Sequence, residues 1–116
     1  MVTFLSVTPL IPAGDDLDSA VRYFTEELGF ALTWRGGSMA GVRRGRVEFN
    51  LVQNSNTVWA ENASASIGVD DLAALYAEYR TTSAQVGPLE LKSWGRREFH
   101  MILSSRVCLQ FYQADE

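Results

Sequence analysis

The chain has 116 residues, 47% of them hydrophobic and 21% charged, which is the composition of one ordinary globular domain. Its formal net charge of −4 disfavours non-specific binding to nucleic acid or to anionic membranes and suits a cationic ligand. No apolar run approaches the roughly 20 residues of a membrane helix, and the N-terminus lacks a signal-peptide pattern. The single cysteine, Cys108, cannot form an intramolecular disulfide. We therefore expect a cytoplasmic protein.

The first half of the chain predicts a strand, a helix and three more strands. The first strand spans residues 7–12, and the Asp15-Asp16-Leu17 motif then opens a segment with apolar residues on one helical face. Aspartates cap the first backbone N–H groups of a helix, and Gly29 suits the end of this one. Three β-like stretches follow, separated by glycine turns, at residues 30–35, 38–44 and 46–53.

The second half repeats this order. Asp70-Asp71-Leu72 matches the first motif at an offset of 55 residues and again opens a helical pattern after a strand that ends at Val69. Three β-like stretches follow it, at residues 89–92, 97–104 and 107–112. The sequence therefore predicts one α+β domain, 1–116, in which two βαβββ modules (about 1–53 and 63–116) form a curved mixed sheet. A polar stretch from Asn54 to Asn62 joins them.

Alternation within the strands separates an apolar face, which the two helices would cover, from a mostly polar face. The polar face contains Ser6, Thr8, Glu48, Asn50, Ser64, Ser66, Glu98, His100, Gln110 and Tyr112. It is either a flat surface in water or, if the sheet curls, the lining of a cup. A basic cluster, Arg43, Arg44 and Arg46, surrounds Gly45, and we interpret it as a solvated turn.

Several motifs along the chain resemble the vicinal oxygen chelate superfamily, which includes glyoxalase I, extradiol dioxygenases and fosfomycin-resistance proteins, and most of all its bleomycin-resistance proteins. The similar segments are Ser6-Val7-Thr8-Pro9-Leu10, Ala20-Val21-Arg22-Tyr23-Phe24, Leu28-Gly29-Phe30, Met39-Ala40-Gly41-Val42-Arg43-Arg44-Gly45, Leu75-Tyr76-Ala77-Glu78-Tyr79 and Trp94-Gly95-Arg96-Arg97-Glu98-Phe99. The resemblance covers nearly the whole chain and implies paired βαβββ modules and a homodimer, with or without exchange of the N-terminal strands.

Enzymes of the superfamily hold a divalent metal with His, Glu or Gln from four strands. The matching positions here are Ser6 (or Thr8), Glu48, Ser64 (or Ser66) and Gln110, of which only Glu48 is a strong ligand. We therefore expect no metal and no other cofactor. The alternative is a metal-dependent glyoxalase- or dioxygenase-like enzyme with an atypical ligand set around Glu48 and Gln110. His100 is either a hydrogen-bonded structural residue or a proton carrier.

The resemblance to bleomycin-resistance proteins implies a metal-free antibiotic-binding protein. It would sequester a bulky aromatic, cationic, bleomycin-like ligand in a groove of the dimer, with aromatic stacking and acidic groups providing affinity. The predicted ligand-binding residues are Trp34, Met39, Glu48, Asn50, Trp59, Ser66, Trp94, Glu98, His100, Gln110 and Tyr112.

Other interpretations of these residues stay open. Trp34, Met39 and Trp94 match groove positions of the family, and each could instead pack in the core; Trp59 either contacts ligand or anchors the connecting segment. The chain departs from drug-binding relatives in the small residues of 64–69 and in Ser104-Ser105-Arg106, which replaces a usual turn. A structural or regulatory protein, with the cup filled by its own side chains, is the third possibility.

Overall fold

The computed structural model describes residues 1–114 and has two mixed β-sheets, one in each half of the chain. The first half contains β1 (Leu10–Pro12), α1 (Leu17–Arg22) with a π-helical continuation (Tyr23–Glu27), β2 (Ala31–Gly36), β3 (Met39–Arg44) and β4 (Val47–Val52). The rest contains α2 (Thr57–Asn62), β5 (Ser64–Val69), α3 (Leu72–Tyr79), β6 (Gln85–Val86), β7 (Glu90–Leu91), β8 (Arg97–Ile102) and β9 (Cys108–Gln113). Residues 115 and 116 of the second predicted module lie outside the described part.

The two sheets have equivalent strand orders, β1-β4-β3-β2 and β5-β9-β8-β6, with β7 also pairing with β8. In each sheet the first strand runs parallel to the last, and the other pairs are antiparallel. The repeated motif begins both helices in the same way, because Asp16 accepts a hydrogen bond from Ser19 N and Asp71 from Ala74 N, each at 3.0 Å. The predicted α+β fold with two βαβββ modules is confirmed.

One apolar face of each sheet is covered by its helix, and aromatic clusters fill the contact. In the first module the Phe24 ring lies 5.2 Å from Phe30 and 6.4 Å from Phe49. In the second, Phe111 lies 5.1 Å from Phe99 and 5.6 Å from Tyr79. Each such side chain contributes about 1.5–3 kcal/mol on full burial, so these faces hold the sheets against the helices and leave the opposite faces open.

The first strand is shorter than predicted. It begins at Leu10, which pairs with Asn50, whereas the prediction placed its start at Val7. The residues before Pro9 belong to no strand and form an N-terminal arm, residues 1–8, whose apolar side chains Val2, Phe4, Leu5 and Val7 are almost fully exposed. Ser6 and Thr8 are therefore not on the sheet face where the alternation placed them.

The segment that joins the modules is helical, where the sequence was interpreted as a polar stretch. The Asn56 side chain starts α2 by accepting hydrogen bonds from Val58 N (3.0 Å) and Trp59 N (3.1 Å), and Ala60 is buried. A helix of six residues is too short to show the apolar periodicity from which helices are predicted. No helix within residues 1–114 is long and apolar enough to span a bilayer.

Arg44 connects the two modules and is not part of a solvated turn. Its guanidinium donates to both carboxylate oxygens of Glu78 (2.7 and 2.9 Å) and to the Leu28 carbonyl (2.9 Å). The Tyr79 hydroxyl donates to the same carbonyl at 2.7 Å, and burial raises the pKa of Tyr79 to about 12. Gly29 has φ +79°, and a Cβ there would lie 2.8 Å from Arg44 Nη1. Glycine therefore ends the helix and also leaves room for this contact.

Candidate ligand-binding faces

The two sheet faces opposite the helices carry most of the predicted ligand-binding residues, and the chain divides them between two sheets. The first face, on β1–β4, contains Trp34, Met39, Glu48 and Asn50. The second face, on β5, β8, β9 and the turn before β8, contains Ser66, Trp94, Glu98, His100, Gln110 and Tyr112. Trp59 lies half-buried on α2, outside both faces, which favours its role as an anchor.

Glu98 is the centre of the second face. It is fully buried, and its two carboxylate oxygens have three side-chain partners. Oε2 accepts hydrogen bonds from Trp94 Nε1 (2.7 Å) and Arg96 Nε (2.9 Å), while Oε1 lies 2.9 Å from His100 Nε2. Burial opposes ionisation, but the hydrogen bonds from Trp94, His100 and Arg96 outweigh it and hold the pKa of Glu98 at about 2. An ionised carboxylate thus orients three residues around it.

Trp94 is held at the surface by this carboxylate. The residue is 60% exposed, although its indole N–H donates to a buried oxygen. Gly95 follows with φ +87°, a backbone conformation that glycine adopts without strain, and the chain turns there into β8. The outcome is an indole whose face is open to solvent and whose orientation is set from below.

Arg96 forms a layered stack with Tyr112. The guanidinium carbon lies 3.8 Å from the centre of the Tyr112 ring, and Nη2 donates to Ser66 Oγ at 3.2 Å. Tyr112 in turn lies across Gly68, its neighbour on the adjacent strand, where a Cβ would come 2.8 Å from the phenol oxygen. Sequence reasoning did not select Arg96 or Gly68, although strand alternation does place Gly68 on this face, opposite an aromatic residue.

The first face holds its tryptophan in a different way. Trp34 pairs with Gly41 across β2 and β3, next to a register shift, and the indole lies over the glycine. A Cβ at Gly41 would overlap the indole and would lie 2.6 Å from Thr33 Oγ1. Trp34 remains 44% exposed. Gly41 is therefore the residue that lets this indole lie flat, whereas in the sequence it is only one member of a longer motif.

Both predicted acidic residues are paired with neighbouring side chains. Glu98 is buried with its three partners, and Glu48 forms an ion pair with Arg43, whose Nη2 lies 2.6 Å from Oε1. The sequence had assigned both carboxylates to a cationic ligand. Local pairing, which a sequence pattern does not reveal, involves both oxygens of Glu98 and Oε1 of Glu48.

The structure groups no set of metal ligands within residues 1–114. Glu48 and Gln110 lie on different sheets, and within residues 1–114 no three His, Cys, Asp or Glu side chains are grouped as metal ligands. Two clefts lie elsewhere. One of about 510 Å³ adjoins Asp16, and one of about 590 Å³ lies between the Gly45 hairpin and α3; none of the predicted ligand-binding residues lines either.

No family model and no curated protein sequence matches the chain, but solved structures do. A bleomycin-binding protein from the bleomycin producer Streptomyces verticillus, solved with copper(II)-bleomycin, has a TM-score of 0.86 and 29% identity, over 99% of this chain and 100% of that one. A bleomycin resistance determinant encoded on transposon Tn5 has a TM-score of 0.86 at 22% identity, over 97% of this chain and 100% of that one.

A glyoxalase/bleomycin resistance protein/dioxygenase from Nocardioides is more distant, with a TM-score of 0.75 and 15% identity, over 100% of this chain and 87% of that one. Two βαβββ modules with open faces opposite their helices define the class, and the chain has the fold of the vicinal oxygen chelate superfamily. Within that superfamily it is similar to the bleomycin-binding and bleomycin-resistance proteins, as the sequence motifs predicted.

Proposed function

We propose that the protein binds and sequesters a bulky, flat aromatic compound of the antibiotic type, without making or breaking a bond. The observation that carries the proposal is Trp94, an exposed indole that a buried carboxylate holds in place. A buried ionised group is costly to maintain, and here it fixes a side chain that contributes little to the core. A rigid, exposed aromatic surface is what stacking on a flat ligand requires. The similarity to bleomycin-binding proteins supports the same ligand class.

We further propose that the ligand groove is completed in a homodimer. The two tryptophan-bearing faces lie on different sheets, and we infer that a second chain brings one face beside the other. The exposed apolar residues of the N-terminal arm, Val2, Phe4, Leu5 and Val7, would be covered by a partner. Grooves shared by two subunits are also what the resemblance to bleomycin-resistance proteins implies.

The net charge of −4 attracts a cationic group on a ligand through the long-range field, whereas Glu98 is buried among its own partners. Glu48 pairs with Arg43 through Oε1 and its side chain is 35% exposed, so it stays accessible to a cationic group. The attraction should decrease at high ionic strength, because exposed charges are screened over about 10 Å at 0.1 M salt.

Titration with bleomycin, followed by tryptophan fluorescence, tests the function. We expect quenching with micromolar or tighter affinity. Trp94→Ala should weaken binding by about 0.5–1.5 kcal/mol, the contribution of an aromatic pair beyond its buried area. Trp59→Phe is the matched control and should leave the affinity unchanged, because Trp59 lies outside both faces. If the folded protein gives no response up to millimolar drug, the ligand is not of this kind.

Sedimentation at micromolar concentration tests the dimer. We expect a symmetric dimer with more than roughly 1,000 Å² buried in total, the size that separates stable interfaces from packing contacts. Deletion of residues 1–8 should weaken association, since it removes the exposed apolar arm. A monomer at this concentration contradicts the shared groove.

Elemental analysis of protein purified without chelators tests the metal-free character. We expect no stoichiometric transition metal, because Glu48 is the one strong donor among the positions that match the family's ligands. About one metal ion per chain, lost in Glu48→Ala, would instead support the metal-dependent enzyme. No arrangement within the described residues favours that enzyme at present.

A further inference from the structure

We propose that Arg96 is the contact for an anionic oxygen group on the ligand, such as a carboxylate, sulfonate or phosphate, and that the second face therefore selects flat aromatic compounds carrying such a group. The inference rests on the proposed function and specifies the chemistry of its ligand. It assigns to this face a charge preference opposite to that of the whole chain, whose net charge is −4.

The Arg96 guanidinium is held in place by hydrogen bonds, but some of its N–H donors are free. Nε donates to Glu98 and Nη2 to Ser66, whereas Nη1 has no hydrogen-bond partner within residues 1–114. One side of the planar group rests on the Tyr112 ring, and the Arg96 side chain is still 42% exposed. A guanidinium offers five N–H donors in a rigid fork that matches the oxygens of an oxyanion. The edge left free is thus a preorganised donor.

The carboxylates near Arg96 do not occupy that edge. Glu98 is buried, and its oxygens are used by Trp94, Arg96 and His100. Glu90 on β7, which lies opposite Glu98, is paired with Lys92 at 2.8 Å. An oxyanion that approaches the second face from solvent therefore meets the free N–H edge of Arg96, while the Glu98 carboxylate is buried.

An aromatic surface lies directly beside this charge. Trp94 Nε1 and Arg96 Nε donate to the same oxygen, Glu98 Oε2, so the indole and the guanidinium are held next to each other by one atom. A flat ring can stack on the exposed indole while its acidic substituent reaches the guanidinium. Neither contact requires the protein to rearrange, which reduces the entropic cost of binding.

Three naphthalene probes with the same ring test the inference: 2-naphthoate, neutral 2-naphthalenemethanol and 2-naphthylmethylammonium. Their dissociation constants are measured by NMR titration of the indole N–H resonances. We expect 2-naphthoate to bind about fivefold tighter than the alcohol, the scale of one partly exposed charge pair, and the ammonium compound to bind weakest. Equal affinities, tighter binding of the ammonium compound, or no binding of any probe would overturn the inference.

Variants separate Arg96 from general charge effects. Arg96→Gln should remove the preference for 2-naphthoate and leave the alcohol within about twofold, whereas Arg96→Lys should keep part of it, since it retains charge but not the fork. Arg35→Gln is the matched control, because Arg35 is also ion-paired and its side chain is 41% exposed against 42% for Arg96. The inference fails if folded Arg96→Gln keeps the preference or if Arg35→Gln loses it.

These outcomes are separable from a failure of the proposed function. Quenching by bleomycin without any preference among the naphthalenes would remove the Arg96 contact and leave the binding function. A clear preference for 2-naphthoate in a protein that does not bind bleomycin would exclude bleomycin as the ligand and still support an acidic aromatic ligand.

Discussion

The two modules share a strand order but position their exposed tryptophans by different physical means. On the first face, Trp34 lies flat because Gly41 leaves the space beneath it. On the second face, Trp94 is anchored by a hydrogen bond to the buried carboxylate of Glu98. The first indole is thus positioned by shape, through the space at Gly41, and the second by charge, through a hydrogen bond to an ionised carboxylate.

The difference shows which features of a repeated scaffold are shared and which are not. Both faces have an aromatic residue opposite a glycine on the neighbouring strand, Trp34 with Gly41 and Tyr112 with Gly68. The charged groups do not correspond: the ion pair Arg43–Glu48 lies near the surface, whereas Glu98 is fully buried. Cross-strand pairing thus places an aromatic residue opposite a glycine in both modules, whereas the charged side chains differ between the two faces.

The largest effect is expected from Glu98→Ala. This change removes the acceptor for Trp94, Arg96 and His100 together and leaves a cavity. Hydrogen bonds to a charged group contribute about 1.5–3 kcal/mol, and relief from burying a charge offsets part of their sum, so we expect a loss of about 3 kcal/mol in the free energy of unfolding. Denaturation in urea measures it. A loss below about 1 kcal/mol would mean that charge does not organise the second face.

Acid should weaken the second face selectively. A carboxyl whose pKa is lower in the folded state contributes stability above its unfolded pKa, near 4.3 for glutamate, and loses that contribution as the pH falls. For Glu98 the loss should develop between about pH 4 and its folded pKa of about 2. The free energy of unfolding of the wild type should therefore fall more steeply with decreasing pH in this range than that of Glu98→Gln, which has no carboxyl to protonate. An equal pH dependence of the two proteins would contradict the low pKa of Glu98.

Much of the fold could be predicted from the sequence, because alternation and the repeated Asp-Asp-Leu motif are local signals. The second aspartate of each copy begins its helix as expected. The arm and α2 could not be predicted in the same way. Val7 continues a β-like sequence pattern, but it lies outside the sheet because no strand within the described residues pairs with it. Six residues of helix carry too little periodicity to be recognised.

The site was predicted less completely than the fold, since side-chain pairing depends on distances between strands. Strand alternation correctly placed Glu98 and His100 on one face, but it could not show that the carboxylate is buried beneath Trp94 and Arg96. The role of Gly41 in leaving room for the indole likewise depends on the cross-strand register, which puts this glycine opposite Trp34. A glycine on a face that also carries aromatic residues is the signal that could have identified it.

The aromatic–glycine pairs should respond to added volume. Gly41→Ala and Gly68→Ala each place a Cβ against the ring across the strand, and overpacking typically costs about 1–3 kcal/mol. We expect about 1–2 kcal/mol in the free energy of unfolding for each, since both rings can move toward solvent. In a Trp34→Ala background, Gly41→Ala should cost less, because the ring it displaces is gone and only the contact with Thr33 Oγ1 remains. If the full cost persists there, the glycine matters for the backbone and not for the indole.

The smallest effect is expected from Glu48→Gln on the first face. Its partner Arg43 and the carboxylate itself are both well solvated, with side chains 55% and 35% exposed, and such pairs contribute about 0.2–1 kcal/mol. We expect a change of less than about 1 kcal/mol in the free energy of unfolding, and the change should shrink in high salt because exposed charges are screened. Glu98→Gln, the same substitution on the second face, is the comparison and should cost more and depend less on salt. Equal costs at the two positions would show that burial of Glu98 does not distinguish the faces, and the contrast between placement by shape and placement by charge would then be wrong.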